Sequence, residues 1–365
     1  MSSPRKGIAI VIADLGSGGA QQVASRIANR WVSEGRRISV ITLDGPEGDF
    51  FALDPAIERI VIGGIDISKY PLEAIRNNLK RIKALRLALQ EFGGKVAIGF
   101  IAPMNIQLVL ASRGLGYRTI ISERNNPAKQ SFGRLWDMLR QRLYPMADVV
   151  TANSHNALEV MKAYVPSDKL AFVPNPVRFE LESLEPNKNR APFFLNVGRL
   201  HPQKGQDLLI EAFHEVQKHL PEWQLKIAGE GQYRLELERL IDKLGLCDRV
   251  ELCGVVADTL PYYQQAGVFV FPSRYEGFPN ALMEAMATGA ACIATNSTPG
   301  HLELIRDNEN GVIVPGEDPH NLAEAMLSLA EHPHRRMELG VAAAQSVKRY
   351  ALDNVIEEWN HLLSD

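Results

Sequence analysis

Short apolar runs alternate with stretches of helical period along this chain, and the alternation restarts once. GIAIVIADL (7–15) is a run of the kind a buried strand needs, and residues 19–34 then place Ala20, Val23, Ile27 and Trp31 at helical spacing. ISVITL (38–43) and ERIVI (58–62) read as strands. Over 72–91, Leu72, Ile75, Leu79, Ile82, Leu85 and Leu89 fall on one helical face. VAIGFI (96–101), RTIIS (118–122) and ADVVTA (147–152) follow as strands with helices between them. Strand–helix alternation of this kind implies parallel sheets with right-handed crossovers.

The pattern breaks near 174–192, where PNPV (174–177) leads into the charged, proline-spaced LESLEPNKNRAP. It then resumes: FFLNVG, a helix over 205–219, QLKIAG, a helix over 232–245, RVELCG, a helix over 258–266, VFVFPS, a helix over 280–288, ACIAT and GVIVP. Helical segments over 319–331, 334–349 and 351–363 close the chain. The expectation is an α/β protein of two similar domains, with its site in the cleft between them near the carboxyl ends of strands.

At 365 residues the chain can bury two cores without disulfides or a structural metal. Its 40 Lys+Arg and 43 Asp+Glu give a net charge of −3, which argues against a nucleic-acid binder. Cys247, Cys253 and Cys292 form no CxxC pair, so neither a disulfide framework nor a zinc site is indicated, and a reducing compartment fits. The opening MSSPRKGIAIVIADLG lacks a small-residue cleavage site, so its apolar run reads as a first strand rather than a signal peptide. No run approaches the ~18 apolar residues of a membrane span. Charge is unevenly spread: residues 69–142 hold 14 Lys/Arg against Glu73, Glu91, Glu123 and Asp137, a surplus of ten.

Two glycine-containing turns follow first strands. Gly16-Ser17-Gly18-Gly19-Ala20 allows close approach of a ligand to free backbone N–H groups. It approaches the dinucleotide fingerprint, with Asp44 where a ribose-binding acid would sit, but Gln21 stands at the third glycine. A tight turn without ligand, and glycine-lined access for a sugar or phosphate, are the other readings. In the second half, Gly198-Arg199-Leu200-His201-Pro202-Gln203-Lys204-Gly205 sets two cations in a loop between strand and helix. They are either solvated surface charges or partners for a diphosphate whose charge they stabilise as it leaves. Glu276 lies in the loop after VFVF, and Glu284 about one turn into the helix that opens near Asn280. A helix N-terminus between two acids can hold one polar ligand at two places.

The combination of GRL-x3-KG (198–205), AGEG (228–231) and E-GFP-NALM-E-A-MA-x-G (276–289) resembles the retaining glycosyltransferases of family 4 (GT4). Gly18-Gly19 and Pro299-Gly300-x2-Glu303 also match. ISERNNP (121–127) and PNPV look like bacterial members that build O-antigen, capsule or N-glycan precursors on a lipid diphosphate, some of which transfer N-acetylgalactosamine. The resemblance implies the GT-B fold: two Rossmann-like parallel-sheet domains facing across a cleft, with C-terminal helices crossing back. An acceptor-side domain over 1–177, a nucleotide-sugar domain over 178–345 and a returning helix over 346–365 follow.

It implies further that Arg199 and Lys204 hold the diphosphate, that Glu276 contacts the donor sugar and that Glu284 binds the nucleotide ribose. Gly198, Glu230, Asn175, Phe278, Pro279, Asn280 and Ala281 are implied in substrate binding, the 278–280 loop by its backbone. Gly18 and Gly19 are implied to approach the phosphate. Members retain anomeric configuration without an established covalent intermediate, the leaving diphosphate accepting the acceptor's proton. No metal or other cofactor is implied, and no DxD motif occurs. Many relatives carry histidine where this chain has Arg124, whose guanidinium stays charged. Arg124 then binds a charged or phosphate-bearing part of donor or acceptor, or pairs with Glu123.

The basic segment adds a partner. Arg76, Lys80 and Lys83, with Arg81 and Arg86 nearby, recur along the 72–91 helix, and Arg134, Arg140 and Arg142 share a second helix with Leu135, Trp136, Met138, Leu139 and Leu143. Such a surface either faces solvent or rests on an anionic leaflet, where a lipid-linked acceptor would be met. The reading is a metal-independent hexosyltransferase, using a nucleotide sugar expected to be UDP-linked, cytoplasmic and peripheral to the inner face of the cell membrane. A soluble transferase on a small or glucan acceptor, a non-catalytic nucleotide-sugar binder and a nicotinamide dehydrogenase are the alternatives.

Overall fold

A computed structural model describes residues 7–16, 18–63, 71–125, 127–128, 130–181, 184, 189–297 and 303–364. Expectations that rest on residues 1–6, Ser17, Lys69, Asn126, Lys129, most of 182–188, Pro299, Gly300 or the side chain of Leu72 lie outside the described residues. The chain divides into two compact units: residues 1–175 with 356–365, and residues 176–355. The return to the first unit begins at Ile356 rather than at 346.

The first unit runs β1 (Ile8–Val11), α1 (Gly19–Ser33), β2 (Ile38–Thr42), β3 (Glu58–Val61), α2 (Pro71–Phe92), β4 (Val96–Phe100), α3 (Ala102–Ser112), β5 (Arg118–Glu123), α4 (Arg134–Leu143), β6 (Val149–Ala152), α5 (His155–Met161) and β7 (Leu170–Phe172). Its sheet has the order β3-β2-β1-β4-β5-β6-β7, and every neighbouring pair is parallel. Ile8 lies in register with Ile38 on one side and Val96 on the other. β1, β2 and β4 are buried at every residue, the signature of strands covered on both faces. α1 turns Val23, Ala24, Ile27, Ala28 and Trp31 inward. β7 was not expected from the sequence, because LAF is too short a run to read as a strand.

The second unit runs β8 (Ala191–Val197), α6 (Gln206–Val216), β9 (Gln224–Ala228), α7 (Arg234–Lys243), β10 (Val250–Gly254), α8 (Leu260–Gln265), β11 (Ala266–Phe271), α9 (Asn280–Ala287), β12 (Ala291–Thr295), β13 (Val312–Val314), α10 (Pro319–Glu331) and α11 (Pro333–Ser346). Its parallel sheet has the order β10-β9-β8-β11-β12-β13. The helices expected over 205–219, 232–245, 258–266 and 334–349 are each shorter at one or both ends. Asp318 caps α10 by accepting from the Asn321 N–H at 3.0 Å.

Both sheets place their first and fourth strands side by side with crossovers leaving in opposite directions. The carboxyl ends of those two strands are where ligands bind in doubly wound sheets. The last helix, α12 (Leu352–Leu363), supplies Trp359 to the first unit. Trp359 is fully buried, edge-on to Trp31 at 6.4 Å and tilted against Phe100 at 6.0 Å. Trp31 donates its indole N–H to Asn360, and Arg118 donates to the Leu362 carbonyl.

One expectation about the basic segment, the outward placement of Arg140, is corrected, and the α2 stripe gains a boundary. The apolar stripe of α2 is covered only in its second half: Leu85 and Leu89 are buried, while Ile75 and Leu79 are 50% and 62% exposed. On α4, Arg140 points inward to Asp137 and the Pro127 carbonyl, leaving Arg134 and Arg142 exposed. No described helix is long and apolar enough to cross a membrane.

Trp359→Ala should destabilise the first unit by about 3–5 kcal/mol, because a fully buried indole packed on Trp31 and Phe100 leaves a cavity. Urea denaturation followed by fluorescence measures it. A loss below about 1 kcal/mol would mean that the C-terminal segment is not part of that core.

Candidate functional site

In the second unit the loops after β8 and β11 are sewn together. Gly205 begins α6 with φ +65, and a Cβ there would stand 2.2 Å from the Pro272 carbonyl oxygen. That close approach requires glycine. The Arg274 backbone N–H donates to the Gln203 carbonyl at 2.7 Å. Its guanidinium takes Asp207 bidentately at 2.9 Å, the Pro202 carbonyl at 2.5 Å and Glu317 at 2.7 Å. Gln203 Nε2 returns a bond to the Tyr275 carbonyl at 2.7 Å. The Asp207 and Glu317 carboxylates hold the Arg274 pKa above its ordinary value.

The β8 loop is braced from beneath by two buried amides that carried no role in the sequence reading. Gln206 accepts from the His201 N–H and donates to Asn196 and to the Arg199 carbonyl. Asn196 donates to the Val270 carbonyl of β11 at 2.9 Å. The AGEG turn packs against this loop: Cβ atoms at Gly229 and Gly231 would meet the carbonyl oxygens of Gly198 and Leu200. Glu230 contributes its carbonyl to the Leu200 N–H, while its carboxylate pairs with Arg234. The sequence placed Glu230 in substrate binding; in the structure its carboxylate bonds the Gly231 N–H and Arg234 at the start of α7.

Upon this frame stand the expected cations and acids. A Cβ at Gly198 would stand 3.5 Å from the Lys204 stem, and Lys204 Nζ sits 2.5 Å from Glu276 Oε1. Arg199 is exposed, and its guanidinium has no partner among the described residues. Partial burial and the nearby Arg199 and Lys204 charges push the His201 pKa down, and His201 Nδ1 accepts from the Gln203 N–H.

α9 starts at Asn280, as expected, with Pro279 at its N-cap and no capping side chain. The Asn280 N–H goes to the Phe278 carbonyl and the Met283 N–H to that of Pro279; those of Ala281 and Leu282 meet no acceptor among the described residues. The Phe278 ring leaves this surface and packs edge-on to Tyr350 at 5.8 Å in the core. Glu284 is buried and accepts from the Tyr263 hydroxyl at 3.1 Å. Burial, then the Glu284 carboxylate, raise the Tyr263 pKa well above its usual value, so the phenol remains a donor. Arg190 and Thr288 bond the Tyr263 carbonyl, which ties α8 to the end of α9.

In the first unit, Gly18 is the N-cap of α1 and Gly19 its first residue. Gln21, in place of the third fingerprint glycine, folds back: its Oε1 would meet a Gly18 Cβ at 2.2 Å, and its Nε2 donates to Asp14 Oδ1 at 3.0 Å. The same oxygen accepts from the Gly16 N–H. Ile101, just after β4, holds φ +71, a strained conformation for a β-branched residue that costs about 1–3 kcal/mol.

Arg124 and Asn175 are brought together: Arg124 Nη1 donates to Asn175 Oδ1 at 2.7 Å and to the Val173 carbonyl. The guanidinium lies 5.3 and 5.4 Å from the Phe100 and Trp359 rings. Its Nε and Nη2 find no acceptor among the described residues, and burial lowers its pKa to about 9. The alternative pairing with Glu123 is not made by the side chains. Glu123 accepts from Tyr144 and from the Arg124 and Asn125 N–H groups, and burial raises its pKa.

Two family descriptions match this chain: Glycosyltransferase Family 4 over residues 17–181 and Glycosyl transferases group 1 over 178–346. A Campylobacter jejuni protein named as GalNAc-alpha-(1->4)-GalNAc-alpha-(1->3)-diNAcBac-PP-undecaprenol alpha-1,4-N-acetyl-D-galactosaminyltransferase is 29% identical, with 98% of each chain covered. Another C. jejuni protein, N-acetylgalactosamine-N,N'-diacetylbacillosaminyl-diphospho-undecaprenol 4-alpha-N-acetylgalactosaminyltransferase, is 31% identical over 63% of this chain and 65% of its own. The solved structure of sucrose-phosphate synthase from Thermosynechococcus elongatus superposes with a TM-score of 0.84 at 20% identity, covering 98% of both chains. That of Anabaena HepE with UDP and glucose gives 0.79 at 18%, covering 98% of this chain and 99% of its own.

Gly205→Ala and Gly245→Ala should separate backbone strain from close approach. Both glycines have positive φ, but nothing lies within 4 Å of a Cβ at Gly245. Gly245→Ala should cost the roughly 1 kcal/mol of a strained residue, and Gly205→Ala distinctly more. Equal losses in chemical denaturation would contradict the close approach to Pro272.

Proposed function

The chain belongs to the family 4 glycosyltransferases and has the GT-B fold, and from that premise we propose a retaining transfer of a hexose or N-acetylhexosamine. The donor is a UDP-linked nucleotide sugar and the acceptor a lipid-diphosphate-linked glycan, in bacterial O-antigen, capsule, exopolysaccharide or N-glycan precursor synthesis. The observation that carries this reading is the set of charges at the carboxyl ends of β8 and β11: Arg199, Lys204 and Glu276, beside an uncapped helix N-terminus. The acceptor class is supported by the two C. jejuni relatives, whose names place their acceptors on undecaprenol diphosphate.

In this reading the second unit takes the donor. Arg199 and Lys204 hold the diphosphate with the Ala281 and Leu282 N–H groups, in the loop of Phe278, Pro279 and Asn280. Glu276 accepts from sugar hydroxyls and Glu284 from the ribose. The acceptor oxygen bonds the anomeric carbon on the face from which the diphosphate departs, so configuration is retained. The bond from that carbon to the phosphate oxygen breaks, its electron pair stays with the diphosphate, and the acceptor's proton passes to a diphosphate oxygen. The protein's part is charge stabilisation by preset cations and dipoles. The first unit is assigned the acceptor side, with Gly18, Gly19, Arg124 and Asn175 in substrate binding.

The exposed half of α2 supports a membrane contact. Ile75 and Leu79 share it with exposed Arg76, Lys80 and Lys83, and α4 exposes Leu135 and Met138 with Arg134 and Arg142. Each basic residue near an anionic leaflet contributes about 1 kcal/mol, and apolar side chains add burial.

A thermal-shift screen of UDP-, GDP- and TDP-sugars, with NAD as control and EDTA present, tests the donor reading. One nucleotide-sugar class should stabilise the protein, Lys204→Ala should lose the shift, and Glu276→Ala should lose transfer while keeping its fold. A shift with NAD alone would overturn the assignment. For the membrane, reversing Arg76, Lys80 and Lys83 to Glu should lower binding to phosphatidylglycerol vesicles at least about tenfold. Unchanged partitioning would favour a soluble acceptor.

A further inference from the structure

We propose that the Lys204–Glu276 ion pair makes the donor site discriminate a sugar-bearing diphosphate from a bare nucleoside diphosphate. This rests on the reading of Lys204 as a diphosphate ligand and Glu276 as a sugar ligand. The pair is short, at 2.5 Å, and enclosed: the two side chains are 19% and 9% exposed. Among the described residues Lys204 is the one hydrogen-bond partner of the Glu276 carboxylate.

Lys204 therefore cannot serve a diphosphate without consequence for Glu276. A diphosphate oxygen that takes the ammonium leaves a nearly buried carboxylate without a partner, next to an incoming polyanion. An unpaired charge in such a place is costly, more so than the pair itself. A bare diphosphate meets that penalty in full, or it leaves the pair closed and binds through Arg199 and the helix N-terminus alone.

A sugar diphosphate meets a different situation. Its sugar brings hydroxyl donors to Glu276 in the same event that brings phosphate oxygens to Lys204. Both charges exchange one partner for another, and neither is stranded. Sugar and diphosphate binding are thus coupled through one ion pair. After transfer the sugar has left, Glu276 loses its hydroxyl partners, and re-formation of the pair displaces the diphosphate. Arg199 stands outside this coupling. It is exposed and without a partner among the described residues, so it attracts any diphosphate without condition.

Equilibrium binding to the full chain by titration calorimetry tests the proposal, with UDP against UDP-N-acetylgalactosamine and GDP against GDP-mannose as probes. Glu276→Gln keeps the side chain's size and removes its charge; Glu276→Ala serves if that variant melts early. The expected result is bare diphosphate bound about fivefold or more tightly than by the unaltered protein, the scale of a modest coupling, with the sugar nucleotide bound no better. The preference for the sugar-bearing ligand then shrinks. Arg199→Gln should weaken both ligands alike and leave the preference intact. If Lys204→Ala weakens both ligands yet neither Glu276 variant tightens the bare one, the coupling is overturned and the site assignment stands. If the unaltered protein binds neither pair of probes, or Lys204→Ala changes nothing, the site assignment itself falls and takes the coupling with it.

Discussion

Parallel strands buried on both faces leave the ends of a sheet as the places where polar side chains can be displayed. Both units of this protein live under that constraint. In each, the sharpest chemistry gathers where the first and fourth strands part company. Arg199, Lys204, Arg274 and Glu276 stand there in the second unit, and the Gly18 turn and strained Ile101 in the first, with Arg124 one strand further on. Loops that long would drift without an internal frame. Gln206 and Asn196 brace one from beneath, and Arg274 fastens it to the other with bonds to Asp207, Pro202 and Glu317.

Three cations of the second unit, and one of the first, differ by what already satisfies them. Arg274 commits four donor bonds to Asp207, Glu317 and the Pro202 carbonyl, which makes it a structural cation. Lys204 is satisfied by one carboxylate and can exchange it. Arg199 stands open to water. Arg124 is a fourth case: one nitrogen is bound by Asn175 and Val173, two have no acceptor among the described residues, and the aromatic faces of Phe100 and Trp359 enclose the group. A guanidinium buried in this way keeps its charge at neutral pH even with its pKa drawn down to about 9.

The architecture was largely legible in the sequence because two-sided burial forces unbroken apolar runs such as IAIV and VFVF. The glycine loop was legible because close backbone approach admits few residue types. Partnerships across long separations were not. Nothing in the 198–205 loop announces that Arg274 will reach Asp207, or that Gln206 will hold the loop up. The inward turn of Arg140 was hidden for a similar reason: helical spacing marks a face, but a buried Glu123 nearby decides which way an arginine points. On α2 periodicity shows that apolar residues align, and the structure adds that protein covers only the second half of the stripe.

The placement of Trp359 has a consequence for how the chain is made. Residues 1–175 are made before 356–364, so the first unit's core stays open at Trp31 and Phe100 until Trp359 has been made. The second unit, continuous in sequence from 176 to 355, can close before then. Synthesis order and completion order are thus reversed. The nascent first half spends most of elongation as an unfinished fold with an aromatic socket exposed, a form that invites chaperone binding or aggregation. A chain that stops before residue 356 keeps that socket open, far along the sequence from the break.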